Sequence, residues 1–228
     1  MLLNDSKPHR CSTESARLCQ VRSRGGPSNW SAATGAFVQS RNISGTYALF
    51  TRGSWQDYRI ALKMRSTDND SIGLMFRLQD RDNYYRFSWD AEKAGRRLVK
   101  REKGAEKVMA QDTVPYTAGK NYNLEIVAQG STLKVNVDGK TVLSVSDKSF
   151  KNGTIGLHSY ANKGSVFDDV LVEELPTKAV LLWDDFNNGN FAGWTALNDT
   201  NMAATPAGWS VVGKELVQRN DATTFLLY

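Results

Sequence analysis

"IGLMFRLQDRDNYYRFSWD", residues 72–90, contains two runs of alternating apolar residues on either side of a short charged segment. Side chains along a β-strand point to opposite faces in turn, so the first run divides into two sets. Leu74 and Phe76 share one face, and Gly73, Met75 and Arg77 share the other. The pattern predicts a strand whose two faces differ in chemistry.

The second run divides in the same way, and the polar residues Gln79 to Asn83 supply the turn of a hairpin. Its apolar face carries Tyr85, Phe87 and Trp89. Its polar face carries Tyr84, Arg86 and Ser88. We therefore expect one face to pack in a core, with Trp89 as a packing residue. The other face presents hydroxyl and guanidinium groups among aromatic rings.

The middle of the chain continues as strands separated by turn signals. Alternation is clear in DYRIALKMRS (57–66) and YNLEIVAQG (122–130), and STLKVNVDGKTVLSVSD (131–147) is a hairpin around Asp138-Gly139. GTIGLHSY (153–160) and SVFDDVLVEE (165–174) are two more strands. The best helix candidate, AEKAGRRLVKREKGAEKV (91–108), is interrupted by Gly95 and Gly104. These patterns predict an all-β fold, an antiparallel sandwich of two sheets in which Trp30 and Trp55 are core residues at strand ends.

Composition narrows the classes of partner. The 228-residue chain carries 29 Lys and Arg against 24 Asp and Glu, a net charge of +5. Charges of both signs are interspersed and no nucleic-acid-binding motif accompanies them, so we expect no nucleic-acid partner. No apolar run approaches the ~18 residues of a membrane span, and "MLLNDSKPHR" lacks the apolar stretch of a signal peptide. We expect no membrane span and no export signal in this chain.

The two ends of the chain contain an internal repeat. GPSNWSAATGAFVQS (26–40) matches TPAGWSVVGKELVQR (205–219), and Leu2, Leu3 and Asp5 match Leu181, Leu182 and Asp184 at the same offset of 179 residues. We therefore predict one β-sandwich domain over residues 1–177, with an atypical segment at 1–25. Residues 178–228 are predicted to be a truncated copy of the start of a second module.

The first copy is disturbed between residues 6 and 25, which are polar and without periodicity. Divergence and a local reading-frame disturbance both explain this, and the second fits the sharp return of similarity at Pro27 better. Cys11 and Cys19 are then accidental, and a disulfide and two free thiols both remain open. We predict that the good copy at 180–193 folds back, or swaps between chains in a dimer, to occupy the first-strand position.

A family resemblance rests on residues 72–90 together with RRLVK (96–100), YNLEIVAQGSTLKVNVDG (122–139) and GTIGLHSYANKGSVFDDVLV (153–172). These motifs resemble the concanavalin A-like lectin/glucanase superfamily, most closely LamG-like modules of bacterial secreted polysaccharide-active proteins. They are also similar to the C-terminal lectin-like domain of thrombospondins. The resemblance covers about residues 26–175. It implies a jelly roll with sugar bound on the concave sheet, a calcium ion at one edge, and an extracellular location within a larger protein.

The enzymes of this superfamily provide a test of catalysis. Family 16 glucanases carry glutamates and an aspartate at alternate strand positions, so that two carboxylates lie ~5–5.5 Å apart. No E-x-D-x-E or E-x-D-x-x-E run occurs here, and Asp168-Asp169 are adjacent, so they point to opposite faces. A lyase needs only a Tyr or His base and an Arg, which Tyr84, Arg86, His158 and Tyr160 could supply. The sequence leans towards no enzyme, with a polysaccharide hydrolase or lyase as the alternative.

A binding module needs an open face with aromatic platforms and hydrogen-bonding groups, because sugar C–H faces stack on rings and sugar hydroxyls accept from Arg. The predicted glycan-binding residues are Met75, Arg77, Tyr84, Arg86, Ser88, Lys100 (or Arg97) and His158. Loop carboxylates suit Ca²⁺. The predicted calcium ligands are Asp168, Asp169, Asp184 and Asp185, with Asp68 and Asp70 as a weaker pair. The leading hypothesis is polysaccharide recognition; a structural or adhesion domain without a sugar site is the third.

Overall fold

The computed structural model describes residues 30–33, 35–40, 46–50, 53–93, 95–190, 192–198, 209–212 and 215–218. Within these ranges the regular secondary structure is entirely β-strand. No helix there has the length and apolar character of a membrane span. The first nine strands are β1 (Trp30–Ala33), β2 (Ala36–Gln39), β3 (Thr46–Phe50), β4 (Tyr58–Ser66), β5 (Ser71–Asp80), β6 (Asn83–Asp90), β7 (Gly95–Glu102), β8 (Ala105–Asp112) and β9 (Tyr122–Gln129). The others are β10 (Thr132–Val137), β11 (Lys140–Ser146), β12 (Thr154–Tyr160), β13 (Ser165–Glu174), β14 (Val180–Asp184), β15 (Trp194–Asn198), β16 (Trp209–Val212) and β17 (Glu215–Gln218).

Two antiparallel sheets contain most of these strands. The front sheet has the order β15-β3-β12-β5-β6-β7-β8. The back sheet has the order β1-β2-β13-β4-β9-β10-β11, and β14 also pairs with β13. The prediction of an all-β sandwich of two antiparallel sheets is confirmed. Residues 95–108 of the helix candidate lie in the β7–β8 hairpin rather than in a helix.

The core lies between the sheets and follows the predicted alternation. Along β4, the side chains of Tyr58, Ile60, Leu62 and Met64 are all buried, whereas the residues between them are partly or fully exposed. Trp30 is completely buried in the core, as predicted. Trp55 is only partly buried at its margin.

The β5–β6 hairpin contributes the predicted core face. Leu74, Phe76, Tyr85, Phe87 and Trp89 all belong to the core cluster. Trp89 is 2% exposed, and its indole Nε1 donates a hydrogen bond of 2.8 Å to the backbone carbonyl of Val114. A buried Trp whose N–H has found a partner is a packing residue. The turn is shorter than predicted, because β5 extends to Asp80 and β6 begins at Asn83.

The segment after β13 joins both sheets. β14 pairs with β13 of the same chain, and β15 pairs with β3. Phe186 and Trp194 are buried, and their rings lie 5.0 Å and 6.1 Å from the ring of Phe37. These contacts place 180–195 within the sandwich. Swapping between chains stays a prediction, as does the division at 177.

The internal repeat has a structural counterpart. In the β1–β2 hairpin Trp30 pairs with Gln39, and in the β16–β17 hairpin Trp209 pairs with Gln218. The two hairpins therefore have the same internal register, as expected for copies of one element. Residues 1–25, including Cys11 and Cys19, lie outside the described residues.

Candidate functional site

A β-bulge at Arg77 changes the face assignment of β5. The pairing of β5 with β6 shifts register between Phe76 and Asp80, and Arg77 has a left-handed φ of 43°. The backbone N–H of Arg77 instead donates a 2.7 Å hydrogen bond to the hydroxyl of Tyr58. One residue is thereby inserted into the alternation, so Leu78 rather than Arg77 joins Met75 on the outer face.

The prediction that Arg77 is a glycan-binding residue is wrong, because its side chain is 1% exposed and holds the two sheets together. The guanidinium donates to the backbone carbonyls of Gly130 (2.8 Å), Phe150 (2.9 Å) and Gln56 (3.1 Å). It also pairs with the carboxylate of Asp57 at 3.3 Å. Both of its terminal Nη groups are thus engaged within the fold.

Lys100 is also placed away from the predicted site. It lies opposite Tyr85 across the β6–β7 ladder, and Tyr85 is a core residue, so Lys100 points to the core side of the front sheet. Its Nζ atom donates to the Ser149 hydroxyl at 2.7 Å and pairs with Asp147 at 3.4 Å. The alternative from the same strand, Arg97, occupies the outer face instead.

A cleft of about 570 Å³ lies on the outer face of the front sheet, the face that points away from the core. Its central row crosses neighbouring strands in register: Tyr47 pairs with His158, His158 with Gly73, Gly73 with Ser88, and Ser88 with Arg97. Residues that are directly opposite in antiparallel strands share a face, so these side chains form one line across the sheet.

Gly73 is the one position in this row without a side chain. A Cβ atom at Gly73 would lie only 2.0 Å from the backbone carbonyl oxygen of Phe87, so no side chain fits without moving β6. Close approach of two backbones is a usual reason for glycine in a strand.

Arg86 and Glu106 form a bidentate ion pair in the next rows of the cleft. The two guanidinium Nη atoms of Arg86 lie 3.0 Å and 3.1 Å from the two carboxylate oxygens of Glu106. Arg101 also approaches Glu106, at 3.5 Å. Met75 and Tyr84 provide an apolar floor beside these charges, in a small buried cluster separate from the main core.

Tyr160 forms an exposed aromatic rim at one end of the cleft. Its side chain is 47% exposed, and it lies opposite Ser71 at the start of the β12–β5 ladder. An exposed ring of this kind offers an apolar face for stacking and a hydroxyl for hydrogen bonding.

His158 is neutral at the floor of the cleft. Burial lowers the pKa of its imidazole well below the usual range, and the positive charges of Arg86 and Arg97 lower it further. A neutral imidazole can donate from one ring nitrogen and accept at the other. It can therefore pair with a ligand hydroxyl in either direction.

Several buried polar atoms lining the cleft have no hydrogen-bond partner within the described part of the chain. They include the hydroxyl oxygens of Ser71 and Ser88 and the Nε atoms of Arg86 and Arg97. Ser71 and Ser88 are only 5% and 2% exposed. Leaving such groups unpaired costs about 1–3 kcal/mol each. Water or a bound ligand can complete their hydrogen bonding.

The predicted calcium ligands at β13 and β14 lie close together but are already engaged. Asp169 pairs with the Lys63 ammonium at 2.5 Å. Asp184 accepts from the Trp194 indole N–H at 2.9 Å, and Asp185 accepts from a backbone N–H. Burial raises the pKa of Asp168, and the nearby carboxylates of Asp169 and Asp185 raise it further.

The weaker pair belongs to the turn before β5. The Asp68 carboxylate accepts backbone N–H groups from Asn69 and Lys163, both at 2.8 Å, and Asp70 lines the cleft. Among all residues that the structure describes, no group of three or more His, Cys, Asp or Glu side chains could hold a metal ion. Calcium binding stays a prediction.

The structure brings most of the predicted site residues into one cleft and adds others. The cleft contains Met75, Tyr84, Arg86, Ser88, His158 and Tyr160. Sequence reasoning missed Tyr47, Ser71, Asp90, Lys93, Arg101 and Glu106. Extending the alternation of the opening hairpin across β7 and β8 would have found Arg101 and Glu106. Their roles in ligand binding remain predictions.

Comparisons with known proteins agree with this architecture. A family model described as a 3-keto-alpha-glucoside-1,2-lyase-like domain matches residues 20–173. Levanase of Bacillus subtilis (strain 168) is 27% identical in an alignment of 154 residues that covers 63% of this chain and 22% of levanase. The chain thus spans about a fifth of the length of that curated relative.

Two solved structures are similar in fold. The carbohydrate binding module CBM66 from Bacillus subtilis has a TM-score of 0.59 and 26% identity, covering 64% of this chain and 92% of the module. A Bacillus subtilis protein of unknown function with a galectin-like fold has a TM-score of 0.54 and 14% identity, covering 65% and 86% of the two chains. The fold is a galectin-like jelly roll of the concanavalin A-like lectin superfamily, as the sequence motifs predicted.

Proposed function

This chain belongs to the family of 3-keto-alpha-glucoside-1,2-lyase-like domains, and we propose that it is a carbohydrate-recognition module that binds glycan in the outer-face cleft of its front sheet. The observation that carries the proposal is the set of buried, unpartnered polar atoms on Ser71, Ser88, Arg86 and Arg97. Sugar hydroxyls both donate and accept hydrogen bonds, so a glycan can satisfy hydroxyl and guanidinium groups together.

The shape and chemistry of the cleft support a sugar more than a wholly apolar ligand. Tyr160 offers a stacking face at the rim, and Met75 and Tyr84 offer apolar floor for C–H groups. His158 and the Arg86–Glu106 pair present donors and acceptors between them. Mixed platforms of this kind match the two-sided chemistry of a pyranose or furanose ring.

The relatives support a polysaccharide as the source of that sugar. CBM66 is named as a carbohydrate binding module, and levanase is named for its action on levan. Levan is therefore the first probe for this chain. A polysaccharide ligand also implies an extracellular location, which remains a prediction.

The test uses Ser88→Ala, which removes a buried hydroxyl without changing charge. We expect the wild-type protein to bind levan or another polysaccharide in a pull-down panel. Ser88→Ala should weaken that binding about fivefold or more, while the thermal stability of the variant stays unchanged or rises slightly. The matched control is Ser159→Ala, because the Ser159 hydroxyl is buried but bonded to Asn162 and Ser165. That control should lose stability and keep binding; the reverse pattern in the two variants refutes the proposal.

A second candidate function is elimination on a 3-keto-glucoside, favoured by the family description and by the neutral His158. A carbonyl at C3 makes the C2 proton acidic. His158 would take that proton, a C1–C2 double bond would form, and the C1–O bond would break, with the leaving oxygen protonated by water. Incubation with a 3-keto-glucoside should then raise ultraviolet absorbance from the conjugated enone in wild type and not in His158→Ala. Binding without any such product leaves recognition as the function.

A further inference from the structure

We propose that the cleft recognises an acidic glycan, with Arg97 and Ser88 binding a carboxylate or sulfate oxygen of the sugar. This inference rests on the proposed function and specifies its substrate class. It follows from an imbalance of charge within the cleft, from the adjacency of two unpartnered donors, and from the neutrality of the neighbouring imidazole.

Arg97 differs from the other arginines of its hairpin. Arg96 pairs with Asp112 at 2.7 Å, and Arg86 and Arg101 share Glu106. In the part of the chain that the structure describes, no carboxylate forms an ion pair with Arg97. Its Nε atom is buried and without a hydrogen-bond partner. The positive charge of Arg97 therefore has no ion-pair partner among the described residues, and an anionic ligand can pair with it.

The acidic residues that line the cleft interact with groups other than Arg97. Glu106 is held by the bidentate contact with Arg86. Asp90 accepts the backbone N–H groups of Glu92 and Lys93, at 2.9 Å and 2.7 Å. The charge of Asp70 acts on Lys93, whose pKa is raised chiefly by Glu92 and then by Asp70. These carboxylates leave the centre of the cleft positive.

The positive charges at the centre of the cleft act on His158. After burial, the charges that lower the pKa of His158 are those of Arg86 and Arg97. A neutral His158 adds no further charge, and it offers a donor to an oxyanion. The electrostatic setting thus favours an anion beside His158, Ser88 and Arg97.

Ser88 provides the second, independent observation. It is 2% exposed, its hydroxyl has no partner among the described residues, and it lies directly opposite Arg97 in the β6–β7 ladder. A hydroxyl beside a guanidinium fork presents adjacent donors to one oxyanion, and charge-assisted bonds of this kind are the stronger ones. A carboxylate of a uronic acid and a sulfate ester share this chemistry.

The experiment compares matched glycans that differ only in charge. Affinity is measured by calorimetry for polygalacturonate against its methyl ester, and for a sulfated galactan against its desulfated form. We expect one charged member to bind at least about tenfold more tightly than its neutral partner, with the difference reduced at high salt. Which pair shows the difference distinguishes carboxylate from sulfate.

The variant Arg97→Gln should remove the preference for charge, with about a tenfold loss for the acidic glycan and little change for the neutral one. Arg81→Gln is the control, because it removes the same charge from the exposed β5–β6 turn outside the cleft. Equal binding of charged and neutral glycans overturns this inference but leaves the proposed function standing. Absence of binding to every glycan, levan included, overturns both.

Discussion

Replacing Arg77 by alanine should unfold this protein more easily without weakening its glycan binding. Its buried guanidinium donates to three backbone carbonyls and pairs with Asp57. The Phe150 carbonyl is buried, so leaving it unpaired costs about 1–3 kcal/mol. The other acceptors are partly reached by water and add less. The pair with Asp57 adds little because that carboxylate is 41% exposed, but the cavity left by the fully buried Arg77 side chain adds more, so the total is about 3–5 kcal/mol.

The assay is unfolding in urea, monitored by tryptophan fluorescence, and thermal unfolding is the second measurement. A loss of about 3–5 kcal/mol lowers the melting temperature by roughly 6–20 °C for a domain of this size. The matched control is Arg86→Ala, whose partner Glu106 is 40% exposed and can be solvated, so its cost is about 1 kcal/mol or less. If Arg77→Ala keeps wild-type stability but loses glycan binding, the bulge argument is wrong.

Three further perturbations test the fold. Trp89→Ala truncates a core side chain, so it should lower the free energy of unfolding in urea by about 3–5 kcal/mol. The folded variant should still bind glycan. Loss of binding at unchanged stability would mean that Trp89 lies on the cleft face rather than the core face. Burial alone would raise the pKa of Asp147, but the Tyr85 hydroxyl and other donors lower it to about 2. Because that folded pKa lies below the ordinary value of about 3.9, Asp147 stabilises the fold above pH 4 and loses this effect as the pH falls towards 2. Asp147→Asn should therefore be less stable than wild type at pH 6, and the difference should shrink at pH 2; a constant difference would contradict this. Deleting residues 178–228 removes the buried Trp194 and should cost at least about 3 kcal/mol, whereas an unchanged melting temperature would mean that the segment is dispensable.

The alternation of the opening hairpin was enough to predict which of its side chains line the cleft, apart from Arg77. Side-chain period two is a property of any extended strand, so Met75, Tyr84, Arg86 and Ser88 could be assigned to one face from sequence alone. The same rule assigned Trp89 to the core. Such predictions hold wherever the ladder between two strands is regular.

The predicted positions of side chains are wrong or incomplete where the ladder between strands is irregular, or where the face of one strand has to be related to that of the next. Arg77 has a left-handed backbone conformation that nothing in its residue type signals, because such positions usually hold Gly or Asn. Lys100 was assigned without fixing its register against β6, and one residue of slip moves a side chain to the other face. Glu106 was missed because its partner Arg86 is on a strand that is not adjacent in sequence to β8.

The most direct test of the proposal that this cleft binds glycan compares two arginines on opposite sheets. Arg86 pairs with Glu106 in the cleft, and Arg59 pairs with Glu125 at 2.5 Å on β4 of the back sheet. Each alanine variant removes one positive charge and its pairing across strands, with Glu106 in the cleft and with Glu125 and Glu173 on the back sheet, so the main difference between the two is location. The measurement is calorimetric affinity for whichever polysaccharide wild type binds. We predict that Arg86→Ala weakens binding about tenfold or more while Arg59→Ala keeps wild-type affinity, whereas loss of binding only in Arg59→Ala, or equal affinities in all three proteins, would contradict a site on the front sheet.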